Sequence, residues 1–152
     1  MCGRSLTSRA GYTLIELMIV LAILGVLVSM CVPSLKGAHE NYRINTAGSA
    51  IATKLTEART QALKRNRQTQ VVIDATTRKV QVQTDGGVDV GTPEFLMEGI
   101  GFEGLSGTTD QILFDPLGRP VTPKAIRIRY RASALSRTIR VATTGRITVD
   151  PS

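Results

Sequence analysis

The chain has 152 residues, 42% of them apolar and 4% aromatic, with no Trp, two Cys, and 19 Lys and Arg against 12 Asp and Glu for a net charge of +7. This composition excludes a disordered chain and a disulfide-stapled scaffold, and it leaves one small domain whose core rests on Val, Ile and Leu. The basic balance permits nucleic acid, anionic lipid or acidic protein partners without selecting among them.

The chain begins with a short basic leader, "MCGRSLTSRAG", carrying Arg4 and Arg9. From Leu17 to Leu35 there is no formal charge, and at 1.5 Å per residue such a helix covers about 30 Å, the thickness of a bilayer core. Positive charge ahead of the run predicts a cytoplasmic amino terminus with the remainder facing outward. Cys2 lies in the leader and Cys31 in the apolar run, so neither is placed to staple the globular part. A secretory signal would end in small residues of an A-x-A pattern, which "CVPSLKGA" fits poorly, and Glu16 near the start of the run is unexpected for such a signal.

The stretch "GYTLIEL", Gly11 to Leu17, resembles the prepilin motif. The resemblance implies that a prepilin peptidase cuts between Gly11 and Tyr12 on the cytoplasmic face, that the new amino group of Tyr12 is methylated, and that the apolar helix is retained. Tyr12 stands where family members usually have Phe. A carboxylate in the membrane costs about 2.5 to 3.5 kcal/mol on insertion scales, so Glu16 is expected to have a partner or to lose its charge. Tyr12 and Glu16 are one helical turn apart, so the new amine can pair with Glu16 within one chain or with that of a neighbour. The neighbour is the contact the resemblance implies.

Pro33 interrupts the helical hydrogen bonding, but helical spacing resumes beyond it: Ile44, Gly48, Ile51, Leu55, Ala58 and Ala62 form a narrow face suited to close packing on a sheet. A helix from Thr13 to Arg65 would be on the order of 80 Å long. After Asn66 the period becomes two. "TQVVID" and "KVQVQT" flank "ATTR" as a hairpin, with Val71 and Ile73 on one face of the first strand and Val80 and Val82 on one face of the second. "DGGVDVGTPE" reads as a loop, and short strands are expected at "FLME", "ILFD", "AIRIRYRA", "TIRVA" and "RITVD".

This part resembles the GspH/FimT group of minor pseudopilins and pilins, on "EARTQALKRN" (Glu57 to Asn66), "ILFDPLGRP" (Ile112 to Pro120) and the terminal "TTGRITV". The resulting expectation is an α+β, pilin-like lollipop. A long amino-terminal helix, half membrane-embedded and half amphipathic, packs on a carboxy-terminal antiparallel sheet. Residues 1–11 would be the leader, 12–35 the transmembrane and filament-core helix, and 36–152 a periplasmic globular domain.

Several stretches have chemical readings to weigh. "GIGFEG", Gly99 to Gly104, fits the pattern of a phosphate-cradling loop, but "LSGTTD" after it opens a helix poorly, so the glycines read as turns in a flexible loop. Asp85 and Asp89 lack recognisable calcium-ligand spacing, and His39, the only histidine, reads as an exposed helix residue. No nucleophile, base and orienter come together, so neither an enzyme, a cofactor nor a metal is expected. "DPLGR" has the chemistry of a type I turn, with Arg119 solvated.

"RIRYR" sends Arg127, Arg129 and Arg131 to the face opposite Ile128 and Tyr130. With Arg140 on a neighbouring strand, and Arg137 and Arg146 near the sheet end, that face becomes cationic and suited to tracking phosphates. Its simpler reading is a solvated face whose repulsion is relieved by acids of neighbouring filament subunits. DNA-uptake members of the group carry an arginine-containing G-R-x-R motif near the carboxy terminus. Here Gly145 and Arg146 are followed by Ile147 and Thr148, so the second arginine is missing.

The resemblance therefore implies a minor pseudopilin of a type II secretion system, anchored in the bacterial inner membrane and joined to other pseudopilins or pilins through its first helix. The alternative is a minor type IV pilin that binds DNA through Arg127, Arg129, Arg131 and Arg146, or that helps initiate pilus assembly.

Overall fold

A computed structural model describes residues 12–105, 107–131 and 134–151, apart from the side chains of 30–36. They form helix α1 (Leu14–Arg65) and strands β1 (Thr69–Asp74), β2 (Lys79–Thr84), β3 (Asp89–Phe95), β4 (Ile100–Glu103), β5 (Thr109–Phe114), β6 (Lys124–Tyr130), β7 (Ser136–Val141) and β8 (Ile147–Pro151). The chain divides into two compact units, Met1–Ala38 and His39–Ser152. The cleavage position at Gly11 lies outside the described residues.

In the second unit the expected helix face is the core face. Ile44, Ala47, Ile51, Leu55, Ala58 and Ala62 are all buried, and Gly48 lies so close to β8 that a Cβ there would stand 3.3 Å from Val149 Cγ1. The helix ends on Asn66 in the left-handed region (φ 50°), with Arg67 N donating to Ala62 O at 3.3 Å. That is a Schellman-type stop, with Asn in the place usually taken by Gly.

The single sheet expected from the sequence is corrected to two antiparallel four-stranded sheets, ordered β3-β2-β1-β5 and β4-β6-β7-β8. Both contribute to one core under α1: Val71, Ile73, Val80, Val82, Ile112 and Phe114 from the first sheet, and Ile100, Ile126, Ile128, Ile139 and Val141 from the second. The β1–β2 hairpin forms as expected, pairing Val71 with Val82 and Ile73 with Val80. Asp74 closes it as an Asx-turn, its carboxylate accepting from Thr76 N at 2.8 Å, Thr77 N at 3.2 Å and Thr77 Oγ1 at 2.8 Å.

Two further expectations change. "DGGVDVGTPE" is not a loop, because residues 89–94 belong to edge strand β3. An edge tolerates Pro93, and left-handed Gly91 (φ 71°) lies beside the register shift between Val80 and Val82. Gln81 is buried there, its amide donating to the carbonyls of Val82, Val90 and Gly91 at 3.0, 3.3 and 3.5 Å. "FLME" is likewise not a strand of its own; the next strand is β4, inside "GIGFEG", which pairs with β6 from Ile100↔Tyr130 to Glu103↔Arg127. The glycines at its ends, Gly99 (φ 89°) and Gly104 (φ 76°), turn the chain, but the stretch between them is sheet and neither a flexible loop nor a phosphate cradle.

The "DPLGR" turn carries the chain from the first sheet to the second. Gly118 N donates to Asp115 O at 2.9 Å, and the Asp115 carboxylate accepts from Leu117 N at 3.0 Å and Arg119 N at 2.7 Å.

Candidate functional site

The first unit contributes a helix start and an apolar surface. Thr13 is the helix cap: its Oγ1 accepts from Glu16 N at 3.3 Å and its carbonyl from Leu17 N at 3.2 Å. Thr13 and Glu16 have the T-x-x-E spacing of a capping box, which places Glu16 at the third helical position, where the helix dipole favours negative charge. Sequence reasoning read Thr13 as part of the prepilin motif and not as a cap, although T-x-x-E ahead of an apolar run is a readable signal.

Beyond the cap, the helix is apolar on every side and uncovered on every side. Leu14, Ile15, Leu17, Met18, Ile19, Val20, Leu21, Ile23, Leu24, Val26, Leu27 and Val28 are all exposed. In water such a surface is strongly unfavourable, at about 25 cal/mol per Å², and helices apolar all round belong in lipid or among other helices. Among the described residues no helix is long and apolar enough to cross a membrane. The span expected from Leu17 to Leu35 continues into residues 30–36, whose side chains lie outside the described ones. Tyr12 and Glu16 are both exposed.

The second unit contributes the arginines. Arg127 and Arg129 point outward from β6, opposite the buried Ile128, and Arg131 is exposed just past the strand end. Arg140 on β7 shares this outer face, since it pairs with Ala125 across from β6. Arg137 does not. It is opposite Ile128 on the inner side and donates from Nε to Asn45 Oδ1 of α1 at 3.0 Å; its parity with Ile139 and Val141 along β7 already points that way. Arg146 is exposed on the turn before β8, while its neighbour Gly145 is buried.

Acids of the same chain lie on this face. Glu103 of β4 is 3.4 Å from Arg129 and Asp150 of β8 is 3.5 Å from Arg140, the arginines exposed and the two acids half-buried. The relief of repulsion expected from filament neighbours is thus present within the sheet itself.

Two inward ionic contacts had no counterpart in the sequence reading. Lys54 is buried and donates to Glu57 Oε2 at 2.9 Å and to Thr92 O at 2.8 Å, tying α1 to β3. Lys124 pairs with the buried Asp110, joining β6 to β5 and so one sheet to the other. Of the acids considered for calcium, Asp89 accepts from Gln83 Nε2 at 2.8 Å, and among the described residues no cluster of three or more metal-capable side chains occurs. Asp74 has its carboxyl held below the usual range, first by the Thr77 hydroxyl and then by the Thr77 and Thr76 amides.

Two protein families match the chain. The type II transport protein GspH family covers residues 47–145, and the prokaryotic N-terminal methylation motif covers residues 6–32. A curated relative, the pilin-like protein PilA1 of Thermus thermophilus, is 41% identical over 59 residues; the match spans 39% of this chain and 36% of that protein. Among solved structures, the type IV minor pilin FimU of Pseudomonas aeruginosa aligns with TM-score 0.60 at 15% identity, over 74% of this chain and 91% of its own. The minor pseudopilin EpsH of the Vibrio cholerae type 2 secretion system aligns with TM-score 0.59 at 14% identity, over 72% of this chain and 97% of its own. Fold and topology are those of the pilin-like proteins.

Proposed function

Because the chain belongs to the GspH family of type II transport proteins, we propose that it is a minor pseudopilin, a structural subunit of a secretion pseudopilus rather than an enzyme. The observation that carries this reading is the helix apolar on all sides that the chain itself leaves uncovered. It begins within the matched methylation motif. In this proposal prepilin peptidase removes residues 1–11, Tyr12 becomes the methylated amino terminus, residues 12–35 sit in the inner membrane and then in the filament core, and residues 36–152 stand in the periplasm.

The mechanism is mechanical. Leaving lipid is tolerable when the helix enters a bundle of similar helices, where the Glu16 carboxylate meets the Tyr12 amine of a neighbouring subunit. A pair of this kind sets register more than it adds stability.

The test is to express the full chain with prepilin peptidase and its companion pseudopilins. Mass spectrometry is expected to find Tyr12 as the methylated first residue. Glu16→Ala and Glu16→Leu are expected to be cleaved normally but to enter filaments poorly; normal incorporation of both defeats the proposal. The likeness to FimU and PilA1 favours one second reading, a type IV pilus subunit serving pilus initiation or DNA uptake. Deleting the gene separates the two: loss of protein secretion with pili intact supports the pseudopilin, and the reverse supports the pilus subunit.

A further inference from the structure

The outer face of the second sheet carries an ordered row of charge. Arg127, Arg129 and Arg131 recur at every second residue, a repeat of about 6.8 Å along a strand. Glu103 stands between two shallow hollows. One is bordered by Arg127 and Arg140 over Ala125, Gly104 and Thr138, and the other by Arg129 and Arg131 over Gly101 and Ala75.

In each hollow one arginine has a loosely held, half-buried carboxylate partner: Asp150 for Arg140 and Glu103 for Arg129. The other has none. Among the described residues no carboxylate lies within ion-pair distance of Arg127 or Arg131, although the β4–β6 register sets Arg127 directly opposite Glu103. Small residues line most of each hollow, with Phe102 beside the second, which leaves room for a guest oxygen to meet a guanidinium as a bidentate partner.

We infer that this face docks an extended acidic segment of another protein, with carboxylates four residues apart seated in the two hollows on Arg127 and Arg131. Arg127 and Arg131 lie two repeats, about 13.6 Å, apart along the chain, the spacing an extended polypeptide gives to side chains four residues apart, with a like-facing neutral residue between them free to pass over Glu103. A nucleic acid fits less well, because a continuous line of phosphates crossing the face has to pass Glu103 and Asp150, both acids aligned with Arg127 across the strands.

The experiment uses the full chain in detergent micelles and a fluorescent Thr-rich peptide with Glu at every fourth residue, with a Gln-for-Glu peptide and a duplex DNA as comparisons, at about 0.15 M salt. The Glu peptide is expected to bind at least about tenfold tighter than the Gln peptide. The Arg127→Gln/Arg131→Gln variant is expected to lose that difference, and Arg65→Gln/Arg67→Gln, which removes equal charge at the end of α1, is expected to keep it. Glu103→Gln is expected to tighten binding by removing a competing carboxylate. Equal loss in both arginine variants would reduce the effect to net charge and overturn the inference. So would no binding, or duplex DNA binding more tightly than the peptide.

Discussion

Arg59 donates from Nε to the carbonyl oxygen of Gly118 at 3.1 Å, joining the end of α1 to the turn that links the two sheets. Gly145, left-handed at φ 77°, lies against the same oxygen, and a Cβ there would stand 2.3 Å from it and 3.0 Å from Arg59 Nε. The helix end, the "DPLGR" turn and the "TTGR" turn therefore meet at one point. Gly145 serves packing there, and only Arg146 of that pair is left facing solvent.

Gly145→Ala is expected to cost about 3 kcal/mol, because both the backbone conformation and the Gly118 carbonyl resist a methyl group. Gly86→Ala, with nothing within 4 Å of the added carbon, is expected to change stability by less than about 0.5 kcal/mol. Urea denaturation of the two variants gives the comparison, and equal effects would contradict the close approach.

Arg59→Met is expected to cost about 1 to 2 kcal/mol by leaving the Gly118 carbonyl without its charged donor. With Gly145→Ala the two effects are expected to be less than additive, since both disturb one oxygen. A double-mutant cycle measured by denaturation reads the coupling directly.

Lys54→Met is expected to destabilise by about 3 kcal/mol, since Glu57 and the Thr92 carbonyl lose a shared buried partner. Lys54→Met/Glu57→Leu is expected to recover part of that loss. Hydrogen exchange localises the damage: the amides of β3 are expected to open before those of β1.

The lowered Asp74 pKa gives a pH dependence with a definite sign. A carboxyl whose folded pKa lies below its unfolded value, about 3.9, stabilises the fold fully above that value, and the contribution fades as pH falls through the folded pKa. Asp74→Asn is therefore expected to flatten the acid limb of the stability curve below about pH 4, where the unfolded carboxyl takes up its proton. An unchanged acid limb would mean that the Thr77 and Thr76 contacts do not distinguish the folded state.

Thr13→Val removes the side-chain acceptor for Glu16 N while keeping the carboxylate. The loss of about 1 kcal/mol expected at a helix cap corresponds to roughly fivefold faster exchange of the first helical amides. Filament entry is expected to persist in Thr13→Val and fail in Glu16→Leu, which separates the start of the helix from contact with a neighbour.

The sequence made the helix face legible because Ile44, Ile51, Leu55, Ala58 and Ala62 repeat at helical spacing, and the hairpin and β5 to β8 because their apolar residues alternate or cluster. β3 and β4 escaped because glycine and proline erase alternation there, and both hold their place by pairing with distant residues: Val90 with Val82 across a bulge, Ile100 with Tyr130. The division into two sheets was illegible for the same reason. It rests on β1 pairing with β5, whose partners Thr69 and Phe114 lie far apart in the chain. The arginine face was half legible. Strand parity placed Arg127 and Arg129 outward, while the answering acids, Glu103 and Asp150, come from strands at opposite edges of the sheet.

The irregular β3 has a consequence for copies held side by side. An open strand edge is a template on which another chain can zip, and proteins concentrated on a surface meet edge to edge far more often than in dilute solution. Pro93 lacks the amide such a zip requires, and the kink at Gly91 breaks the straight run of backbone groups. Copies of the chain held side by side therefore resist zipping together along this border.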